Sequence, residues 1–281
     1  MLHLNLLNPN KSDIPFKFLT FPDGQPHLKL DTSKHENTEG VKILTRISNP
    51  SDLFTVLIAK DALESAGFEH VELTVTYLMA ARMDRQMNEG EPFSLRVLAR
   101  VLNQANFKQI RIFDPHSDVS TALLDCSKAI SNEQFVKDCI ADFLKNTEGG
   151  NDYWLVSPDA GALKKIHKVA QFVDAPRVAE CMKSRDVKTG HLSGFKTMES
   201  DFEGKTCFIV DDICDGGGTF IGLAALLKSK NAGRIVLIVS HGIFSKGFDL
   251  ANIDFIYSTD SFKHFLDVPN TLHIASVLDY L

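Results

Sequence analysis

The segment of this chain best suited to chemistry is Phe208-Ile209-Val210-Asp211-Asp212-Ile213-Cys214-Asp215-Gly216-Gly217-Gly218-Thr219. An apolar strand ends in Asp211 and Asp212, turns through Asp215, Gly216, Gly217 and Gly218, and enters a helix at Thr219. Glycines let backbone N–H groups converge on an anion, and a helix N-terminus adds partial positive charge. The Thr219 hydroxyl can serve the same oxygens. Carboxylates beside such a cradle suit the hydroxyls of a ribose, or magnesium held directly or through water. The carboxyl end of a parallel strand is also where α/β sheets bind ligands. The plain alternative is a tight strand-to-helix turn with acidic residues at the helix start. A second glycine-bearing stretch, 190–197, has Phe195 between Gly194 and Lys196, the wrong spacing for a P-loop.

Other residues invite the same two-sided reading. His116 follows an apolar run, and an imidazole at a strand end can ligate a metal or hydrogen-bond a phosphate. Alone, it is equally a surface histidine. Asp159, after Ser157-Pro158, is a good helix N-cap. Arg82 and Arg85 can be an exposed basic pair, although Arg82 sits where a strand pattern ends. Lys183 and Arg185 precede a polar stretch, 186–193, containing Gly190; read alone, they belong to a solvated loop. Pro22-Asp23-Gly24 is a good turn.

These residues need a frame. Runs at 41–47, 70–78 and 108–114 are rich in Val, Ile and Leu and read as strands. Between them, 51–68 and 94–105 carry apolar residues at helical spacing, with Ser51 and Ser94 as N-caps. The second half repeats the rhythm, with strands at 152–157, 177–182, 206–213, 234–241 and 254–257 and helices at 161–172 and 219–230. Alternating elements imply parallel sheets flanked by helices. Residues 16–21 and 27–30 read as a hairpin. The polar stretch 145–152 is the linker candidate, giving domains 1–147 and 148–270, with 271–281 expected to pack back on the first.

Composition sets outer bounds. The 281 residues are 44% hydrophobic and 23% charged, ordinary globular usage with room for two domains. Thirty Lys and Arg against 36 Asp and Glu give a net charge of −6, so no field for nucleic acid or anionic membrane is expected, and phosphates must be held locally. Five cysteines without a CxxC pair argue against a disulfide framework or zinc site and for a reducing compartment. No signal peptide and no run of membrane-spanning length is read, so a cytoplasmic protein is expected.

Segment 211–219 resembles the ribose-phosphate loop shared by type I phosphoribosyltransferases and ribose-phosphate diphosphokinases, the phosphoribosyl-diphosphate synthetases. That loop alone does not separate enzymes that consume the diphosphate from those that make it. The first half separates them. Tyr77-Leu78-Met79-Ala80-Ala81-Arg82-Met83-Asp84-Arg85, followed by Glu91-Pro92-Phe93-Ser94, resembles the diphosphokinase strand end, flag-like loop and helix start. Phe113-Asp114-Pro115-His116-Ser117-Asp118 resembles its histidine motif, and Phe21-Pro22-Asp23-Gly24-Gln25 its adenine-contacting motif. Val156-Ser157-Pro158-Asp159-Ala160-Gly161 and Ser240-His241-Gly242-Ile243-Phe244-Ser245 are similar to two segments of its second domain. A simple transferase has no reason to carry the first three.

The resemblance implies an α/β fold of two similar type I phosphoribosyltransferase-like domains, each a mainly parallel sheet flanked by helices. It implies ribose 5-phosphate on 211–219, with its 5-phosphate on Asp215, Gly216, Gly217, Gly218 and Thr219 and its diol near Asp211 and Asp212. ATP is expected on Arg82, Asp84 and His116 and on Phe21, Asp23 and Gln25 of an adjacent subunit, in a homo-oligomer of at least two chains. Magnesium is expected on or near His116 and Asp159, with Lys183 and Arg185 as the catalytic cations.

Some positions depart from the family pattern. Gln25 stands for the usual acid, Met83 for a usual glutamine, and Ser184 interrupts the basic run. The loop 86–90 lacks basic residues that often bind regulatory phosphate, which points to weaker regulation rather than lost catalysis. Two other readings stay open: a phosphoribosyltransferase, and a non-catalytic regulatory paralogue. Retention of His116, Lys183, Arg185 and the acidic loop speaks against the second.

Overall fold

The computed structural model describes residues 1–36, 39–147, 150–185 and 192–281; for 183–185 and 192–193 it describes the backbone only. The chain forms two compact units, Met1–Ser131 and Asn132–Leu281.

The first unit contains β1 (Leu2–Asn5), β2 (Phe16–Thr20), β3 (Pro26–Leu30), β4 (Val41–Ile47), α1 (Pro50–Ser65), β5 (Val71–Leu78), α2 (Ser94–Gln104), β6 (Ile110–Phe113), α3 (Asp118–Leu123) and β7 (Ser127–Ile130). Its parallel sheet runs β1-β4-β5-β6-β7, and β2 and β3 form a separate antiparallel hairpin. Val41, Ile43, Leu73, Val75, Ile110 and Ile112 alternate along three strands and pack with Val56, Ala59 and Leu63 of α1 and Leu95, Leu98 and Leu102 of α2. The hairpin joins this core through Leu28.

The second unit contains α4 (Glu133–Lys145), β8 (Trp154–Ser157), α5 (Leu163–Phe172), β9 (Arg177–Arg185), β10 (Leu192–Thr197), β11 (Cys207–Cys214), α6 (Gly218–Ser229), β12 (Ile235–Gly242), β13 (Phe255–Thr259) and β14 (Leu272–Ala275). The sheet order is β10-β9-β8-β11-β12-β13-β14, parallel except for β9 with β10. Its central strands are buried on both faces, which is why they read as unbroken apolar runs. Phe208, Val210, Val236 and Ile238 face α4 and α5. Their neighbours Cys207, Ile209, Ile235, Leu237 and Val239 face α6, as the two-residue period of a strand requires.

Several expectations are corrected. The division lies at 131/132, not at 147/148. The reason is α4, whose Phe135, Val136, Ile140 and Phe143 share a core with Phe208 and Val236. Residues 271–281 belong to the second unit: β14 extends its sheet beside β13, and Tyr280 packs edge-on against Phe135 at 5.4 Å. Asn49, not Ser51, caps α1 by accepting from the Asp52 N–H at 3.0 Å. Pro50 takes the first helical position, where a missing N–H costs nothing. Ser94 is the first residue of α2 and makes no cap bond. No helix of the described residues is long and apolar enough to cross a membrane.

Candidate active site

In the second unit, β8 leads through α5 to β9 on one side, while β11 leads through α6 to β12 on the other. The chain therefore reverses its direction across the sheet between β8 and β11. At such a switch point the two departing loops separate and leave a crevice beyond the strand ends, the usual ligand position of open α/β sheets. Here the loops are 158–162 and 215–217. Asp159, Asp211 and Asp212 all lie at this crevice.

Asp211 keeps some exposure, but burial in the strand end, then the neighbouring Asp212 charge and, further off, that of Asp159 push its carboxyl well above the usual carboxylate range. The Asp212 N–H donates to Asp211 Oδ1 at 2.9 Å, which only partly offsets this. Asp159 accepts from the Ala162 N–H at 3.0 Å, so it does cap the turn leading to α5. Clustered acids of this kind are stabilised by hydroxyl donors or a cation.

The turn after β11 is shaped by backbone. Gly217 has φ +73° and occupies the cap position of α6, where no side chain makes a cap bond. The first helical bond runs from the Ile221 N–H to the Gly217 carbonyl at 3.0 Å, and the Gly217 N–H itself faces the Cys214 thiol; the first-turn amides of 218–220 have no partner within the helix, the arrangement with which helix N-termini bind anions. A β-carbon on Gly218 would meet no atom within 4 Å, which leaves open space over those amides. The Cys214 thiol beneath is pushed up to about 12, by burial first and then by Asp211 and Asp215, and stays neutral.

The Ser240–Ser245 segment braces this turn from the next strand. His241 is buried and its Nδ1 lies 2.7 Å from Ser261 Oγ; Thr259 and Ser261 hydroxyls donate to the Ser240 carbonyl at 2.6 and 3.0 Å. The Ile243 and Phe244 N–H groups both donate to the Cys214 carbonyl, at 2.8 and 3.1 Å. Sequence reasoning missed one residue of the loop that follows, Lys246, whose side chain crosses Gly216. A lone loop lysine carries no periodic signal.

β9 runs on to Arg185 instead of ending at 182, because β10 pairs with it: Lys183 lies opposite Phe195 and Arg185 opposite Leu192. Of the polar stretch 186–193, residues 186–191 lie outside the described residues, as do the side chains of Lys183 and Arg185. The arm is anchored at its base. A β-carbon on Gly222 would fall 2.6 Å from the Phe195 ring, so the absence of a side chain in α6 makes room for it.

In the first unit, Arg82, Asp84 and His116 follow the carboxyl ends of the paired strands β5 and β6. Ala80 takes φ +61° and the Met83 N–H donates to its carbonyl at 2.9 Å, turning the chain so that Arg82 is exposed and Asp84 half-buried. Asp114, buried at φ +43°, receives the chain at the end of β6 and places His116 on the surface. Phe21, Asp23 and Gln25 form the hairpin tip: the Gln25 N–H donates to Asp23 Oδ1 at 3.1 Å, and the Phe21 ring lies 5.5 Å from that of His27. Among the described residues, no group of three or more His, Cys, Asp or Glu side chains is arranged as a metal cluster.

The covered parallel sheet with its glycine turn at the switch point falls within the phosphoribosyltransferase class, because the model of the phosphoribosyl transferase domain family matches residues 128–269. The chain is also 30% identical to ribose-phosphate pyrophosphokinase 1 of Streptococcus mutans, over 83% of this chain and 71% of that one. It is 29% identical to the ribose-phosphate pyrophosphokinase of Pyrococcus abyssi, over 87% and 80%. This protein belongs to the ribose-phosphate pyrophosphokinase family. Its fold is similar to the crystal structure of phosphoribosylpyrophosphate synthetase from Mycobacterium smegmatis, with a TM-score of 0.78, 21% identity and coverage of 96% of this chain and 89% of that one.

Proposed function

We propose that this protein transfers the diphosphate of ATP to the 1-hydroxyl of ribose 5-phosphate, giving phosphoribosyl diphosphate and AMP. The observation that carries this is the family membership, which extends over both units, together with a phosphate loop set at the switch point of the second sheet. A transferase that consumes the diphosphate would account for that loop but not for likeness over 87% of the chain.

Each residue then has a task. The amides of 215–219 and the Thr219 hydroxyl hold the 5-phosphate. Asp211 and Asp212 accept hydrogen bonds from the sugar diol, and this binding relieves the crowding that raises the Asp211 pKa. Fixing both ends of the sugar aims its 1-hydroxyl along one line, and positioning of this kind supplies much of the rate in phosphoryl transfer. Arg82, Asp84 and His116 bind ATP, with the adenine contacted by Phe21, Asp23 and Gln25 of an adjacent copy of the chain. Lys183 and Arg185, carried on the β9–β10 arm, neutralise charge that develops as AMP departs and exclude water.

The acidic crevice fits a divalent cation in its chemistry, since Asp159, Asp211 and Asp212 disfavour one another's charges. Within this crevice Asp159 is the residue that would hold magnesium. When bound, the metal supplies charge neutralisation on the phosphate oxygens of ATP.

The assembly is a homo-oligomer of at least two chains, and the compartment is the cytoplasm. Phe18, Leu19 and Phe21 of the hairpin are 51%, 45% and 43% exposed, an apolar surface of the kind that a second copy covers. Formation of AMP from ATP and magnesium that depends on added ribose 5-phosphate tests the reading; no AMP, or AMP without the sugar, would refute it.

A further inference from the structure

On the strength of that reading, we propose that Lys246 is a substrate-binding residue whose ammonium group holds the 5-phosphate of the sugar on the 215–219 loop. The side chain lies along the loop backbone. Its Cδ, Cε and Cγ are 3.3, 3.4 and 3.6 Å from the position a β-carbon would take on Gly216. The ammonium is one bond beyond Cε, so it sits at the edge of the 215–219 turn. Gly216 therefore has a second use besides flexibility: a side chain there would displace the lysine.

The lysine is held in place by its own loop. The Ile243 and Phe244 amides clamp the Cys214 carbonyl, and Lys263 Nζ donates to the Ile243 carbonyl at 2.8 Å. Phe244 at φ +48° and Gly247 at φ +87° make a tight turn closed by the Gly247 N–H on the Phe244 carbonyl at 3.1 Å, with Lys246 at its tip. The Phe244 ring packs edge-on against Phe248 and Phe265 at 5.4 and 5.9 Å, and Leu250 covers Gly217. A cation on such a braced turn is preorganised, so less ordering entropy opposes an ionic contact.

Lys246 has no hydrogen-bond or ion-pair partner among the described residues, although Asp215 and Asp211 belong to the turn it crosses. An ordinary surface lysine in a chain of net charge −6 has many carboxylates to choose from. Lys246 is exposed too, but its stem lies over the glycine turn, which leaves its ammonium beside the loop for a ligand. A phosphate ester at the helix N-terminus is the anion that the same turn is built to receive.

Calorimetric titration of ribose 5-phosphate into the intact protein without ATP, for wild type, Lys246→Met and Lys246→Arg, tests this. Methionine keeps an apolar stem over Gly216 and removes only the charge. Lys246→Met should weaken binding about ten-fold or more, the usual size for a charge-assisted hydrogen bond, and Lys246→Arg should restore most of it. In turnover, Lys246→Met should raise KM for the sugar and leave kcat within about two-fold, because the 5-phosphate lies away from the reacting hydroxyl. Wild-type-like binding by Lys246→Met would overturn the proposal and leave the functional reading intact. Wild type that binds no ribose 5-phosphate would overturn both.

Discussion

A β-carbon on Gly217 would fall 2.3 Å from Leu250 Cδ2, and the glycine itself stands at φ +73°. The loop after β12 thus presses directly on the phosphate turn, and only glycine fits between. Gly217→Ala should cost about 1–3 kcal/mol from overpacking, with roughly 1 kcal/mol more from the left-handed backbone. Gly218 is the contrast, since its β-carbon would meet only open space. Gly218→Ala should leave stability within about 0.5 kcal/mol of wild type yet raise KM for ribose 5-phosphate, because the proposed binding mode puts the 5-phosphate in that space. Denaturant unfolding and steady-state kinetics on both variants separate the roles; equal loss of stability in the two would contradict them.

Lys183→Ala and Arg185→Ala should lower turnover far more than they weaken sugar binding. In the proposed role, cations on the β9–β10 arm act on charge that exists only in the transition state, and loss of one such preorganised contact costs about 2.7–4 kcal/mol, or roughly 10²–10³ in kcat. A raised KM with unchanged kcat would assign them to ground-state binding instead.

Asp211 makes stability depend on pH in a defined direction. Burial and the charges of Asp212 and Asp159 raise its folded-state pKa, while in the unfolded chain it titrates near about 3.9. From about pH 4 upward to the raised value, the folded state binds more protons than the unfolded one, so stability falls as pH rises through that window. In chelator-containing buffer, Asp211→Asn should melt above wild type near neutral pH, and the gap should shrink towards about pH 4. A gap that stays constant or widens on acidification would contradict the assignment.

Much of this was legible because chemistry and local pattern coincide in the chain. β5 and β12, buried throughout, and the buried start of β11 announce themselves as apolar runs, Asp23-Gly24 marks the hairpin, and Asp211 to Thr219 is contiguous. What stayed hidden depends on contacts between distant residues. α4 has an apolar face formed by Phe135, Val136, Ile140 and Phe143, but only its packing on Phe208 and Val236 assigns it to the second unit. β10 exists because Phe195 finds space over Gly222, and the value of Lys246 depends on Gly216, thirty positions earlier in the sequence. The cap of α1 went to Asn49 because Pro50 fits the first helical position.

The exposed hairpin gives a test of assembly. If its tip serves the nucleotide of a neighbouring chain, an Asp23 variant lacks the adenine contact but keeps its own arm, while a Lys183 variant donates an intact tip. In mixed dimers one site then collects both defects and the other neither. Subunit exchange between two nearly inactive variants should restore activity. Activity that stays at the level of the separate variants, with exchange confirmed by mass, would mean that each chain works alone.

The central claim is that diphosphate moves as a unit from ATP to the sugar, and the fate of labelled phosphate tests it most directly. With ATP labelled in both the β- and γ-phosphates, magnesium and ribose 5-phosphate, both labels should appear together on the sugar product, in amounts equal to the AMP formed. Label recovered as free diphosphate, as singly phosphorylated sugar with ADP, or remaining in ATP would contradict it.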